Sequence, residues 1–247
     1  MAYLQELIKP YSAEGGKREQ VGEMFDNIAP VYDRLNHLFS FGIDSHWRRY
    51  AIKELGKHEP QTILDMSTGT GDFAILTARL LKPQSVVGAD ISEGMMQVGR
   101  RKVEAEGLSQ VISFQREDCE RMSFPDASFD AVTVAFGVRN YEHLDACLRE
   151  MGRVLREGGQ LLIIELSSPK SFPMRQLFHL YSHTLMPLVG RMASHDGKAY
   201  DYLTASIEAF PTAETMTEIL KKNGFRLERL KLMSCGICTM YLATPNK

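Results

Sequence analysis

The sequence is short of most features that mark a specialised class. Its 4 cysteines in 247 residues are too few for a disulfide scaffold and suit a reducing compartment. Neither sign of charge dominates: 29 Lys and Arg against 31 Asp and Glu leave −2. That balance offers no footprint for nucleic acid, which calls for a clearly basic face. Long apolar runs are also missing. The longest stretch without a charged side chain is residues 176–190, 15 residues that include two histidines and a proline. A membrane span needs about 20 mostly apolar residues. The opening MAYLQELIKPYSAEGGKREQ has no apolar signal core. A cytoplasmic protein with no membrane span and no nucleic-acid partner is therefore expected. No internal repeat and no Gly/Ser or Pro-rich linker divides the chain.

What is present is an alternation. TILDM (62–66) reads as a strand and DFAILTARLL (72–81) as a helix. SVVGAD (85–90) and SEGMMQVGRRKVEAEG (92–107) repeat the pair. VISFQ (111–115) and FDAVTVAFG (129–137) are further strands. YEHLDACLREMGRVLREGG (141–159) reads as a helix ended by glycines, and QLLIIEL (160–166) as a buried strand. Continuous apolar strands separated by helices predict a mostly parallel sheet covered on both faces, a doubly wound α/β fold. Two segments lie outside this pattern. Over 19–57, Val21, Met24, Phe25, Ile28 and Tyr32 recur at helical spacing. Residues 171–210 form an insertion rich in Phe, Tyr, Leu and Met that also looks helical. A helix (212–223) and two strands, near 225–232 and 237–244, follow. One domain over 1–247 is expected, with a helical cover (1–59), a ligand-binding core (60–170), a substrate insertion (171–210) and a closing helix and strands (211–247).

The sharpest local signal is LDMSTGTGDFA, residues 64–74, between the first strand and its helix. Gly69, Gly71 and Ala74 satisfy the loose G-x-G-x-x-G/A pattern of dinucleotide binding. Charge is the discriminator. A dinucleotide would place a pyrophosphate here, beside Asp65 at the strand end and Asp72 at the helix start. A like-charge pair at about 4 Å and an effective dielectric near 20 costs about 4 kcal/mol. S-adenosylmethionine (SAM), with a sulfonium and an ammonium, suits the loop better. Asp72 also reads as a helix cap. Asp90, ending the second strand 19 residues after Gly71, is placed to take ribose hydroxyls. At the third strand's exit, Asp118 can accept from an adenine amino group and the Cys119 N–H can donate to the ring. Asp65, Asp90 and Asp118 all fall at carboxyl ends of strands, where such sheets bind ligands.

Three long motifs carry a resemblance. FDNIAPVYDRLNHLFSFGIDSHWRR (25–49), RVLREGGQLLIIELSSP (153–169) and AFGVRN (135–140) resemble the signatures of the UbiE-type C-methyltransferases of ubiquinone and menaquinone biosynthesis. The likeness runs from about Gly22 to Ala243. It implies the class I SAM-dependent, Rossmann-like fold with seven strands, SAM as methyl donor, and a prenylated quinol as acceptor. The implied SAM contacts fall on Thr70, Asp90, Asp118 and Cys119. The family often has Ser where this chain has Ala135, so one hydrogen bond is absent or replaced. Met66, Ser67 and Thr68 also depart from the commoner small residues before Gly69. The tail CGICTMYLATPNK looks more like menaquinone-only members than bifunctional ones.

Methyl transfer to carbon needs an electron-rich ring, which a quinol becomes on losing a phenolic proton. A cation about 4 Å away stabilises the phenolate by about 4 kcal/mol, or about three pKa units. Arg139 follows the fourth strand and is the candidate cation, with Asn140 orienting a ring oxygen. A salt bridge from Arg139 to an acid such as Glu142 is the plainer alternative. Tyr32 is placed to stack on the ring or hydrogen-bond it, or else simply to pack. No metal is expected. His179 and His183 lie four apart on a helix without an apparent third ligand, and Cys235-x-x-Cys238 is a single pair. His46 reads as a core or capping residue. Residues 176–192 are the expected contact for a prenyl tail, and they leave room for peripheral contact with a membrane's inner face and for a homodimer. The competing readings are a methyltransferase for another small molecule, a non-catalytic SAM-binding module, and a nicotinamide-dependent dehydrogenase.

Overall fold

The computed structural model describes residues 2–185 and 197–247. Five strands run parallel: β1 (Thr62–Met66), β2 (Ser85–Asp90), β3 (Ile112–Arg116), β4 (Phe129–Ala135) and β5 (Leu155–Leu166). β7 (Cys238–Pro245) pairs antiparallel with β5 and with β6 (Phe225–Met233). The sheet order is β3-β2-β1-β4-β5-β7-β6. Strand residues such as Leu64, Val132 and Leu161 pack into one apolar cluster, and their neighbours Ile63, Ala131 and Leu162 into another. Successive side chains point to opposite faces, so both faces are covered, as the continuous apolar strands predict.

One boundary differs from the sequence expectation. The helix expected over 141–159 ends at Val154, and β5 begins at Leu155. Leu155 pairs with Phe129, and the register then shifts, so that Ala131 faces Gln160. The glycines that read as a helix stop instead lie in this irregular stretch, where Gly158 has φ +72°.

After a short first helix, α1 (Leu4–Leu7), three helices form the cover: α2 (Lys17–Ile28), α3 (Tyr32–Ser40) and α4 (Ile43–Leu55). The expected stripe to Tyr32 is interrupted, because Tyr32 opens a new helix after α2. Val21, Met24, Ile28 and Leu35 bury against Ala199 and Tyr202 of the helix Gly197–Ala209. Cover and insertion therefore share an apolar cluster of their own. The insertion also contributes α8 (Met174–Leu180) and a π turn, Tyr181–Leu185. Residues 186–192 of the expected tail contact lie outside the described residues. Among the described residues, no helix is long and apolar enough to cross a membrane.

Candidate active site

The chain runs outward from β1 to β2 and β3, then returns to β4 beside β1. A crevice opens where strand order reverses, at the carboxyl ends. Gly69 turns there with φ +56°, a conformation L side chains rarely take. The loops after β1 and β4 touch so closely that a Cβ on Gly137 would sit 2.6 Å from that of Ser67. Asp90 is buried and spans the crevice floor. Its carboxylate accepts from the Gly69 N–H at 2.8 Å and the Ser92 N–H at 2.9 Å. Burial pushes its pKa up, while those N–H bonds pull it back. A carboxylate has about four acceptor positions, so ribose hydroxyls can still be received. Asp118 and Cys119 line the same crevice, whereas neighbouring Glu117 is held by Gln115 and Ser123.

The cover closes this crevice. Arg18 of α2 pairs with Asp118, and Asp26 accepts from the Ser92 hydroxyl at 2.6 Å and the Gly94 N–H at 2.9 Å. The enclosed space is about 70 Å³, against about 300 Å³ or more for typical small-molecule pockets. Arg18 thus sits on the acid that a nucleoside would reach, and the space beneath is narrower than a nucleoside needs. The donors suit SAM: an acid with spare acceptor positions, a glycine turn that admits the backbone, and a second acid at the adenine end.

Other expected contacts are placed differently. Asp65 does not line the crevice. It is buried beneath the loop, where its carboxylate accepts from the Thr68 and Thr133 hydroxyls, each at 2.6 Å. Burial pushes its pKa up to about 6. Thr70 turns its hydroxyl to Asp33 of α3, at 2.5 Å, and so latches the cover to the loop. Gly71 is the residue before α5 (Asp72–Leu81), and its N–H donates to the Thr68 carbonyl at 2.9 Å. Asp72 makes no side-chain cap and pairs with Lys102. With Asp65 inward and Asp72 neutralised, repulsion of a pyrophosphate loses its force as an argument for SAM.

Beside the crevice lies an apolar cavity of about 300 Å³. It is walled by α3, α4, α8 and the helix Gly197–Ala209 through residues such as Phe39, Trp47, Leu177, Phe178, Leu203 and Ile207. Tyr32 and Phe136 line both spaces and form their shared wall. Phe136 holds φ +63°, a strained position for a bulky residue. Arg139 reaches the cavity, but its partner is Glu165 of β5, not Glu142. Its guanidinium donates to Glu165 Oε1 at 2.8 Å and to the Phe136 carbonyl. Glu142 instead accepts from the Lys17 and Arg18 N–H groups. Asn140 lines the crevice rather than the cavity, and its Oδ1 accepts from the Tyr202 hydroxyl at 3.0 Å. Tyr32 is enclosed enough that burial raises its phenol pKa, against the pull of Arg139 and Arg48.

The remaining sequence candidates scatter. His46 is exposed on α4 and has no core role. The expectation that His179 and His183 lack a third partner does not hold. Glu208 joins them with ligand atoms within 4.8 Å, although all three are exposed. Cys235 is exposed and Cys238 buried. The sequence reasoning missed Lys17, Arg48 and Glu165. Lys17 is fully buried and donates to the Gln5 and Arg139 carbonyls. Glu165 had a visible signal, a lone carboxylate inside an apolar strand, which demands a buried partner.

Solved structures support the fold. A SAM-dependent methyltransferase from Aquifex aeolicus matches with TM-score 0.58 at 18% identity, over 80% of this chain and 89% of that one. The [4+2]-cyclase SpnF matches with TM-score 0.67 at 17% identity, over 92% and 96%. One fold thus carries different reactions, and sequence must decide. A demethylmenaquinone methyltransferase of Bacteroides fragilis is 55% identical over 244 residues, covering 99% of this chain and 100% of that protein. Its counterpart in Porphyromonas gingivalis is 46% identical over 96% of this chain and 97% of its own. A ubiquinone/menaquinone biosynthesis C-methyltransferase UbiE of Pseudomonas paraeruginosa is 39% identical over 92% and 90%. The profile of the ubiE/COQ5 methyltransferase family matches residues 13–245, nearly the whole length over which crevice, cover and cavity are built, and the chain belongs to that family.

Proposed function

We propose that this enzyme methylates a ring carbon of a prenylated quinol, and that its substrate is demethylmenaquinol. The observation that carries this reading is an apolar cavity sharing the Tyr32–Phe136 wall with a crevice suited to SAM. Bound SAM supplies an electrophilic methyl group. Asp90, Asp118, Cys119 and the Gly69 backbone hold it, with Thr70, Gly71 and Asp65 fixing the turn from outside the crevice. The cavity excludes water from the ring and holds it near the shared wall, so positioning provides part of the acceleration.

Arg139 contributes a cation close to Tyr32, but Glu165 balances its charge. The stabilisation of about 4 kcal/mol from an unpaired cation is therefore an upper bound for it. Asn140, tied to Tyr202, fixes the loop after β4 against the insertion. Phe41, Ile43 and Leu177 belong to the cavity lining and are exposed. We read them as an apolar rim that meets the membrane surface where a prenyl tail resides. One domain holds both spaces in this reading, and pairing of two copies is a separate matter for sedimentation.

The test is labelled SAM with purified protein and two reduced acceptors, a short-tailed demethylmenaquinol and a demethylated methoxy-benzoquinol. Label on the naphthoquinol alone is expected. Label on both makes the enzyme bifunctional, and label on neither overturns the quinol reading.

A further inference from the structure

The apolar cavity contains an ion pair whose cation has a buried Nε with no hydrogen-bond partner among the described residues. Asp44 and Arg48 sit one turn apart on α4, and both line the cavity. Arg48 Nε lies 3.4 Å from Asp44 Oδ2, and the Arg48 side chain is only 12% exposed. Nε is buried and makes no hydrogen bond. The guanidinium lies over the Phe136 ring, 5.0 Å from its centroid, beside the wall shared with the crevice. Asp44 is steadied by the Ser40 hydroxyl at 2.7 Å, with His37 at 3.8 Å. Arg139, which also lines this cavity, has an unpartnered Nε too, but its terminal nitrogen is already committed to Glu165 and the Phe136 carbonyl. A buried guanidinium N–H without an acceptor in an apolar pocket is costly unless a ligand completes it.

We infer that Arg48 and Asp44 receive a ring oxygen of the quinol and ionise it, which rests on the quinol reading above. Asp44 takes the hydroxyl proton, and Arg48 faces the phenolate oxygen that remains. The ring carbon then forms its bond to the methyl as the methyl–sulfur bond breaks, and sulfur keeps that electron pair. The methylated carbon releases its hydrogen to water as a proton. The ring oxygen regains its proton from Asp44, so the carboxylate is restored and one proton leaves overall. Tyr32, which feels both Arg48 and Arg139, borders this position, but burial raises its pKa and keeps it protonated, so it has no free site for the proton.

The experiment uses the full chain with S-adenosylhomocysteine and a short-tailed naphthol, whose phenolate absorbs at longer wavelength than the phenol. At neutral pH the wild type is expected to bind the phenolate. Arg48→Met loses that band and lowers kcat on demethylmenaquinol by about 10²-fold, with SAM affinity unchanged. Arg48→Lys keeps part of both signals. Asp44→Asn keeps naphthol binding but lowers kcat by about 10²-fold. If Arg48→Met and Asp44→Asn retain the band and kcat, or lose activity only through SAM affinity or stability, the inference is overturned while the quinol reading stands. If the wild type methylates no quinol, both fall.

Discussion

The crevice and the cavity share a wall and are built on opposite plans. The crevice is made by the sheet: a glycine turn, strand-end acids, and backbone N–H groups held within about 3 Å of Asp90. The groups around Asp90 are already satisfied by one another, so the crevice floor is set before any ligand arrives, while the Arg18–Asp118 pair over it has to open. The cavity is made by helices of the cover and the insertion closing over the loop after β4, the end of β5 and the β6–β7 connection. Its surface is apolar, and its polar groups include an orphaned guanidinium nitrogen. Preorganised polar contacts fix one cofactor tightly. An apolar chamber accepts a long, variable tail and leaves orientation to a few charges.

The comparison can be broken most sharply at Asp90. Asp90→Ala removes acceptors for the Gly69 and Ser92 N–H groups and for the ribose. Charge-assisted hydrogen bonds contribute about 1.5–3 kcal/mol each, so SAM affinity by calorimetry is expected to fall at least about 10²-fold. Binding of a quinone to the cavity should stay the same.

Asp65 sharpens the same contrast through pH. Its pKa is raised from 3.8 to about 6 because ionisation occurs under burial. A raised carboxyl pKa contributes stability that is fully present below the unfolded value and is lost as pH rises through about 6. That amounts to about 3 kcal/mol, at 1.36 kcal/mol per unit. Denaturant unfolding from pH 3.5 to 7 should show this decline, and Asp65→Asn should flatten it.

A smaller effect belongs to the cavity. Leu177 is 56% exposed at its wall, so Leu177→Ser should leave the fold and SAM affinity intact. Losing part of the 1.5–3 kcal/mol of a buried Leu contact should raise KM about 10-fold for a prenylated quinol and leave a tail-less one unchanged. The smallest effect is expected at the cover. Arg18→Ala frees Asp118 from an exposed pair of a kind that contributes about 1 kcal/mol or less. Stopped-flow binding should show SAM entering several-fold faster.

The same divide governs what was legible in the sequence. The sheet could be read because parallel strands are continuous apolar runs, and Asp90 and Asp118 lie where strand ends predict ligands. Asp65 was placed correctly in sequence but given the wrong neighbours, because Thr133 meets it only across the β1–β4 pairing. Thr70 met Asp33 for the same reason: a helix 37 residues away folds back onto the loop. Glu165, alone in QLLIIEL, was a readable sign that Arg139 would be paired. The Asp44–Arg48 pair was readable as i,i+4 spacing, but only packing against Phe136 reveals that it faces the cavity. Helix–helix surfaces depend on contacts between distant segments, so the cavity was less legible than the crevice.

Cofactor and quinol, in this reading, occupy two spaces separated by Tyr32 and Phe136. A crystal structure with S-adenosylhomocysteine and a short-tailed demethylmenaquinone tests it most directly. The ribose is expected on Asp90, the sulfur facing the shared wall, the quinone ring on the Arg48 side, and the tail along Leu177 and Leu203. A quinone ring bound outside the helical cavity, with that cavity empty, would contradict it.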